Sequence, residues 1–437
     1  MINAQRAQGK PLDLLPIKPK QLAILVLAAI IAALDGYDVT AMAFVAPQIS
    51  KVWGIDKATL GYILSSSLIG MALGAFFLSG LADLFGRKPT VMSGLVLLIV
   101  GPTISALSGD VYQLAASRLI TGLGAGVMVA MTTSIAAEFS NQRYRGLAVA
   151  GTTVGFSVGA SIGGALAGMF LIGGQWQGVF WTSAAAAAVL IVAGAFLLRE
   201  SPEFLIARSG PDAAERLNAV LGWLGHPPLT ELPPARPAQA RSYRALFGPD
   251  TLGTTIRLAS VFALLSLAAY FLISWLPQLI ADLGFPPHTA SSVSAMGSLA
   301  GSVAGLIFGA LATFLPVRYF AGGSMICFGL GLALFGQVPA SLPLVMLMSV
   351  LCGSFGAGSI STFYTAMAMS FTPLTRASGL GLVMGVGRVC SAIAPIAAGQ
   401  MFAHGFGRGS VSASFALAAI AAGVLLIASS GRGRPAD

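Results

Sequence analysis

Apolar residues run in long, nearly unbroken blocks along this chain, and polar residues gather in the short intervals between them. Twelve blocks stand out, near residues 22–46, 59–80, 89–108, 111–134, 146–170, 178–198, 254–281, 289–314, 317–337, 342–368, 376–402 and 409–430. A helix that crosses a bilayer needs about 20 mostly apolar residues. Membrane strands would instead alternate polar and apolar positions over segments of about ten residues. The pattern therefore predicts an all-α membrane protein with twelve transmembrane helices. The first block is longer than a signal peptide's apolar region and lacks a small-residue cleavage pattern, so it is expected to stay as the first helix.

One interval differs from the rest. Residues 199–253 hold Pro211, Pro227, Pro228, Pro233, Pro234 and Pro237 among several basic residues. They divide the chain into an N-terminal six-helix half (1–198), a cytoplasmic linker (199–253) and a C-terminal six-helix half (254–437). Within the linker, Pro211 to Gly222 has the spacing of a short amphipathic helix, and the remainder reads as a flexible, membrane-facing tether. The halves repeat one another at an offset of about 230 residues. Pro47-Gln48-Ile49 matches Pro277-Gln278-Leu279, and Ser79-Gly80-Leu81-Ala82 matches Gly309-Ala310-Leu311-Ala312. With two more residues of shift, Gly124-Ala125-Gly126 matches Gly356-Ala357-Gly358, and Gly155 matches Gly387. Such a repeat predicts two pseudo-symmetric bundles of common ancestry.

Composition agrees with this picture, with 56% hydrophobic and 9% charged residues. The formal charge of +9 is a matter of topology. Apart from Lys51, Lys57 and Arg408 on one side, and Arg118 and Arg388 within spans, every Lys and Arg falls on the side of the N-terminus. By the positive-inside rule both termini are cytoplasmic, and the charge implies no nucleic-acid partner. Cys327, Cys352 and Cys390 lie in separate blocks and read as packing residues. His226, His288 and His404 have no acidic or thiol cluster near them, so no metal site is expected.

Charges inside the spans carry the functional signal, because an ionisable group in hydrocarbon is costly and marks a functional site by default. The repeat isolates four. Asp35 and Asp38 oppose Leu265 and Ala268, Arg118 opposes Val350, and Arg388 opposes Phe156. Shared architecture fills the same positions with apolar side chains, so these charges answer to function. Asp35 and Asp38 lie on neighbouring parts of one helix face, and Gly36 between them lets another backbone approach. At about 1.5 Å per residue, Asp35 sits roughly 20 Å into the bilayer, and Arg118 enters from the other side to comparable depth. An Asp35–Arg118 or Asp38–Arg118 pair is within reach. Such a pair could staple two helices or, with two carboxylates in competition, handle a proton.

Arg388 lies near the midplane of the eleventh span, in a half with no intramembrane acid of its own. A guanidinium grips a carboxylate through two parallel hydrogen bonds, so an organic acid is the expected visitor; neutralisation by Asp35 or Asp38 is the alternative. Tyr37, Tyr270, Trp275, Phe363 and Tyr364 are candidates to clamp an aromatic ring, each with lipid contact or core packing as the plain alternative. Glu138, with Arg143 and Arg145 nearby, reads either as an ion-pair strap or as a proton exit station. Gly155, Gly159, Gly163 and Gly164 form a small-residue face for close helix packing.

The loop Ser79-Gly80-Leu81-Ala82-Asp83-Leu84-Phe85-Gly86-Arg87-Lys88 resembles the signature loop of the major facilitator superfamily. Arg118-Leu119-Ile120-Thr121-Gly122-Leu123-Gly124 resembles its fourth-helix motif. Gly155, Gly159 and Gly163-Gly164 resemble its fifth-helix glycine motif, and Glu200-Ser201-Pro202-Glu203-Phe204-Leu205 the segment that closes the first half. The order is right and the resemblance spans nearly the whole chain, although Ser79, Leu84 and Ala160 depart from the usual glycine, basic residue and proline. Asp35-Gly36-Tyr37-Asp38 together with Arg388 resembles the aromatic acid:proton symporters of that superfamily.

The resemblance implies a cytoplasmic gate at Asp83, Gly86, Arg87 and Arg145, with Asp83 capping the next helix and pairing with basic residues; Arg87 and Lys88 could instead serve topology alone. It also implies a monomeric bacterial inner-membrane transporter that imports a hydroxybenzoate-like acid with a proton. Substrate would bind at the midplane between the halves, by alternating access. Proton coupling would fall to Asp35, Asp38, Arg118 and Glu138, and substrate binding to Arg388, Asp38 and the five aromatic residues. No Walker loop or nucleotide fingerprint is present, so no cofactor is expected and the proton gradient is the expected energy source. Membrane lipids are the other expected partner. Alternatives are a dicarboxylate or sugar-acid transporter, an exporter, a receptor or scaffold, and a membrane enzyme, for which no catalytic cluster appears.

Overall fold

The computed structural model describes residues 12–208, 212–229, 246–372 and 375–428, and among these no residue is in a strand. Among the described residues, twelve helices are long and apolar enough to span a membrane. They are α1 (Pro19–Trp53), α2 (Lys57–Leu73), α3 (Arg87–Leu107), α4 (Val111–Glu138), α5 (Arg145–Ile172), α6 (Gln177–Leu197), α7 (Pro249–Ala281), α8 (Pro287–Leu311), α9 (Val317–Phe335), α10 (Leu342–Ser370), α11 (Arg376–Ala403) and α12 (Arg408–Ala428). The α2 span continues through a π turn at Gly74–Leu78 and a short helix at Leu81–Phe85. Several helices outrun their apolar blocks, because a spanning helix keeps its hydrogen bonds into the headgroup layer, where side chains become polar.

Contacts divide the chain into two compact units that do not follow the boundary between the sequence halves. Unit 1 draws on the described parts of 1–39, 69–160 and 177–240, and unit 2 on those of 40–68, 161–176 and 241–437.

In unit 1, α1 and α5 approach closely. A Cβ at Gly36 would strike the carbonyl of Phe156, and one at Gly155 or Gly159 would strike the carbonyls of Ala29 or Ala33. Glycine is what allows the two backbones to touch. The linker contributes a helix at Ala213–Leu224, ended by Gly225 in the left-handed region (φ 87°). Its Leu217, Leu221 and Leu224 pack with Leu12, Ile24, Leu27 and Phe139 in one core. Lys20 Nζ donates to the Trp223 carbonyl at 2.7 Å and lies over its ring. Pro211, where that helix was expected to begin, and the tether at 230–245 lie outside the described residues, as do both chain ends.

Unit 2 joins α7–α12 to the end of α1, the start of α2 and the end of α5. Lys57 Nζ bonds both carboxylate oxygens of Asp282 at 2.7 and 2.6 Å, and Gln278 donates to the same side chain at 2.9 Å. Ser291 Oγ donates to the Phe44 carbonyl at 2.8 Å. Gly61 lies against Pro395 and Gly399 of α11.

Candidate functional site

Each unit holds charges inside its spans. In unit 1, Asp35, Asp38 and Arg118 are 1%, 0% and 0% exposed, so all three are desolvated by protein. Arg118, on α4, donates through Nη2 to the main-chain carbonyl of Asp38 at 2.5 Å. Its Nη1 is 3.4 Å from Thr121 Oγ1, and the guanidinium lies 5.3 Å from the centroid of the Phe180 ring. Asp38 and Arg118 are thus paired as neighbouring opposite charges, while the guanidinium's hydrogen bond goes to the Asp38 backbone and not to its carboxylate. The Asp38 carboxylate turns instead toward α6, where Ser183 Oγ donates to Oδ1 at 2.5 Å. Among the described residues, Asp38 Oδ2 and Arg118 Nε are buried without a hydrogen-bond partner.

Tyr37 points the same way as Asp38. Its hydroxyl donates to the Val179 carbonyl at 2.8 Å and lies 2.6 Å from Thr182 Oγ1. Two consecutive residues of α1 therefore meet two consecutive residues of α6. Tyr37 had been expected to clamp a ring; with its hydroxyl engaged and the residue 6% exposed, it anchors helices instead. The sequence pattern singles out none of Ser183, Thr182 and Phe180. A signal was present, since Thr182 and Ser183 are the only hydroxyl-bearing residues between 178 and 198.

In unit 2, Arg388 of α11 donates through Nη1 to Tyr270 Oη of α7 at 3.2 Å. Phe363 of α10 stacks on Phe262 of α7, centroids 5.2 Å apart and planes 2° from parallel, and Tyr364 tilts against the same Phe262 ring at 5.8 Å. A Cβ at Gly387 would run into Phe262 and approach Ser266, so the glycine beside Arg388 makes room for this aromatic group. Tyr364 is 38% exposed, and Arg388 and Tyr270 are half-buried. Phe363 is wholly buried and supports Phe262 from behind. Trp275 departs from expectation: it is fully buried, its indole N–H donates to the Pro395 carbonyl at 3.2 Å and its ring packs on Phe402. It is a core residue of the α7–α11 seam, and a fully engaged N–H is typical of a buried indole.

The cytoplasmic charges also rearrange. Arg87 reaches Glu138 Oε1 through Nη2 and Nε at 3.2 and 3.3 Å, and Asp83 through Nη1 at 3.2 Å. Asp83, with 74% of its side chain exposed, does not cap α3. That role belongs to Glu200, which accepts from the N–H groups of Arg87 and Lys88 at 2.7 and 3.4 Å and whose carboxylate fills the space beside Gly86 (φ 104°). An acid there complements the free N–H groups and dipole of the helix start. Glu138 pairs with Arg87 rather than with Arg143 or Arg145. Arg145 forms an ion pair with Asp13 and donates to the Ala137 carbonyl, while Arg143 lies over Tyr144. No group of three His, Cys, Asp or Glu among the described residues could hold a metal.

Several known proteins similar to this chain are transporters. The sequence profile of the Major Facilitator Superfamily matches residues 28–282 and 258–435. A 4-hydroxybenzoate transporter (PcaK) of Pseudomonas aeruginosa is 29% identical over 381 residues, covering 85% of this chain and 84% of that protein. The 3-(3-hydroxy-phenyl)propionate transporter of Escherichia coli is 30% identical over 407 residues and 91% of each chain. A gallate transporter of Pseudomonas putida is 28% identical over 95% of this chain and 93% of its own length. The xylose transporter XylE of Escherichia coli superposes with a TM-score of 0.72 at 14% identity over 92% of this chain and 95% of that one, a likeness of fold. With both halves of the chain matched and twelve spanning helices in place, the protein is a multi-pass membrane protein that belongs to the major facilitator superfamily of transporters.

Proposed function

We propose that the protein imports an aromatic carboxylate of the hydroxybenzoate type together with a proton, by alternating access. The observation that carries this reading is the Arg388–Tyr270 pair beside Tyr364 and the Phe262–Phe363 stack. It offers a guanidinium fork for a carboxylate, phenol oxygens for ring hydroxyls and aromatic surface for the ring itself. The relatives named for 4-hydroxybenzoate, hydroxyphenylpropionate and gallate transport support the same class. The buried Asp35, Asp38 and Arg118 supply the proton side. Two aspartates and two arginines sum to zero, a bound carboxylate adds one negative charge, and one proton restores neutrality.

On this reading Asp38 and Asp35 take the proton, Arg388 takes the anion, and the Arg87–Glu138–Asp83 contacts belong to the cytoplasmic gate. The two six-helix halves, 1–198 and 254–437, are the moving parts. The protein works as a monomer in a bacterial inner membrane with both termini cytoplasmic, draws on the proton gradient and needs no cofactor. Uptake of labelled 4-hydroxybenzoate, gallate and an aliphatic dicarboxylate into proteoliposomes, with and without an inward proton gradient, tests it. In the expected outcome, aromatic acids accumulate against their own concentration gradient when the inward proton gradient is present. Accumulation of the dicarboxylate alone, or of no acid, would overturn the assignment.

A further inference from the structure

Serines and threonines inside a spanning helix commonly turn their hydroxyl back onto the carbonyl one turn earlier. Thr132, Ser134, Ser294 and Ser298 do so here. Ser183 does not. The carbonyl it would use, that of Val179, already accepts from Tyr37 Oη and Thr182 Oγ1. The Ser183 hydroxyl is left to reach across to α1, where it donates to Asp38 Oδ1 at 2.5 Å, with both residues buried.

The surroundings of that carboxylate make this contact unusual. The charge that acts on it is that of Arg118 from α4; Tyr37 stands next to it on α1, and Asp35 precedes it by three residues on the same helix. The α5 helix meets this stretch with Gly155, Phe156 and Gly159, and α6 with the hydroxyls of Thr182 and Ser183. Arg118 spends its short hydrogen bond on the Asp38 carbonyl, and a guanidinium can only donate. A hydroxyl can donate to a carboxylate and, after rotating, accept from a carboxylic acid. Ser183 is thus a neighbour that can satisfy the Asp38 side chain in both of its protonation states.

We propose that Ser183 is a positioning residue for proton coupling: it holds the Asp38 side chain in one orientation while the proton comes and goes. The proposal rests on the reading of Asp38 as a proton carrier. The adjacent Tyr37–Thr182 contact keeps α6 in register so that the hydroxyl stays in reach.

The test uses the full-length protein in proteoliposomes, with 4-hydroxybenzoate as the probe. Gradient-driven accumulation and energy-independent counterflow are measured across pH for the parent, Ser183→Ala, Ser183→Thr and Asp38→Asn. A hydrogen bond to a charged group is worth about tenfold in an equilibrium, or about one pH unit. Ser183→Ala is expected to move the accumulation profile to more alkaline pH by up to about one unit, and to lower accumulation about tenfold more than counterflow. Ser183→Thr, which keeps the hydroxyl, is expected to restore the parent profile.

A Ser183→Ala profile that coincides with the parent's overturns the proposal. So does an equal loss of accumulation and counterflow that Ser183→Thr fails to restore, since that marks packing. The underlying reading fails separately, by Asp38→Asn retaining pH-dependent accumulation whatever Ser183 does.

Discussion

The two charged clusters occupy corresponding places in the repeat, yet they are built to opposite specifications. In unit 1, Gly36 of α1 packs against Phe156 of α5; at the matching positions of unit 2, Ser266 of α7 lies beside Gly387 of α11, next to Arg388. One helix crossing has been used twice. The first copy is closed: Asp35, Asp38 and Arg118 are 1% exposed or less, and hydrogen bonds from Tyr37, Ser183 and Arg118 tie the motif to α4 and α6. The second is less buried: Arg388 and Tyr270 are half-buried, with a 3.2 Å hydrogen bond between them, and stand beside a 38%-exposed tyrosine. A group that exchanges protons needs a fixed, water-poor setting, whereas a group that exchanges a substrate needs an accessible face. On the proposed reading, the contrast is the physical form of a division of labour between the halves.

Substitutions can break the contrast from either side. The largest effect is expected from Asp38→Asn, which keeps shape and removes the titration: accumulation of 4-hydroxybenzoate under a proton gradient falls to the level of empty liposomes, while size-exclusion chromatography shows folded protein. Arg388→Ala follows. Loss of a charge-assisted, forked contact to a carboxylate costs roughly 3 kcal/mol, so the half-saturating concentration rises about 100-fold.

Tyr270→Phe removes a single hydroxyl from the Arg388 contact and is expected to raise the same concentration about fivefold. Trp275→Phe is the smallest. It deletes the N–H to the Pro395 carbonyl, lowering the thermal midpoint by a few degrees, on the order of 1 kcal/mol, with half-saturation within about twofold of the parent. A tenfold change in half-saturation would return Trp275 to the substrate site.

How far these clusters could be read from sequence depends on depth versus direction. Depth was legible: counting residues along apolar blocks placed Asp35, Asp38, Arg118 and Arg388 well inside their spans, and the repeat showed that the scaffold does not require them. Direction around a helix was not. Periodicity carries little information when a helix is apolar on every side, so the sequence could not tell that Arg118 would meet the Asp38 backbone, that Tyr37 would face α6 or that Trp275 would turn into the core. The same limit applies at the cytoplasmic ends. Neighbours in sequence suggested Glu138 with Arg143 and Arg145, but the loop fold brings Arg87 to Glu138 and leaves Arg145 to Asp13. Glu200 was visible only as part of a motif, and its capping of α3 is a contact across 113 residues.

The most direct test of the division of labour is proton movement driven by substrate alone. Proteoliposomes in weak buffer, with no imposed gradient, receive 4-hydroxybenzoate outside while external pH is followed. The account predicts alkalinisation in step with uptake, abolished in Asp38→Asn and shifted to higher substrate concentration in Arg388→Ala. Uptake of the acid at the parent rate with no change in external pH would contradict it.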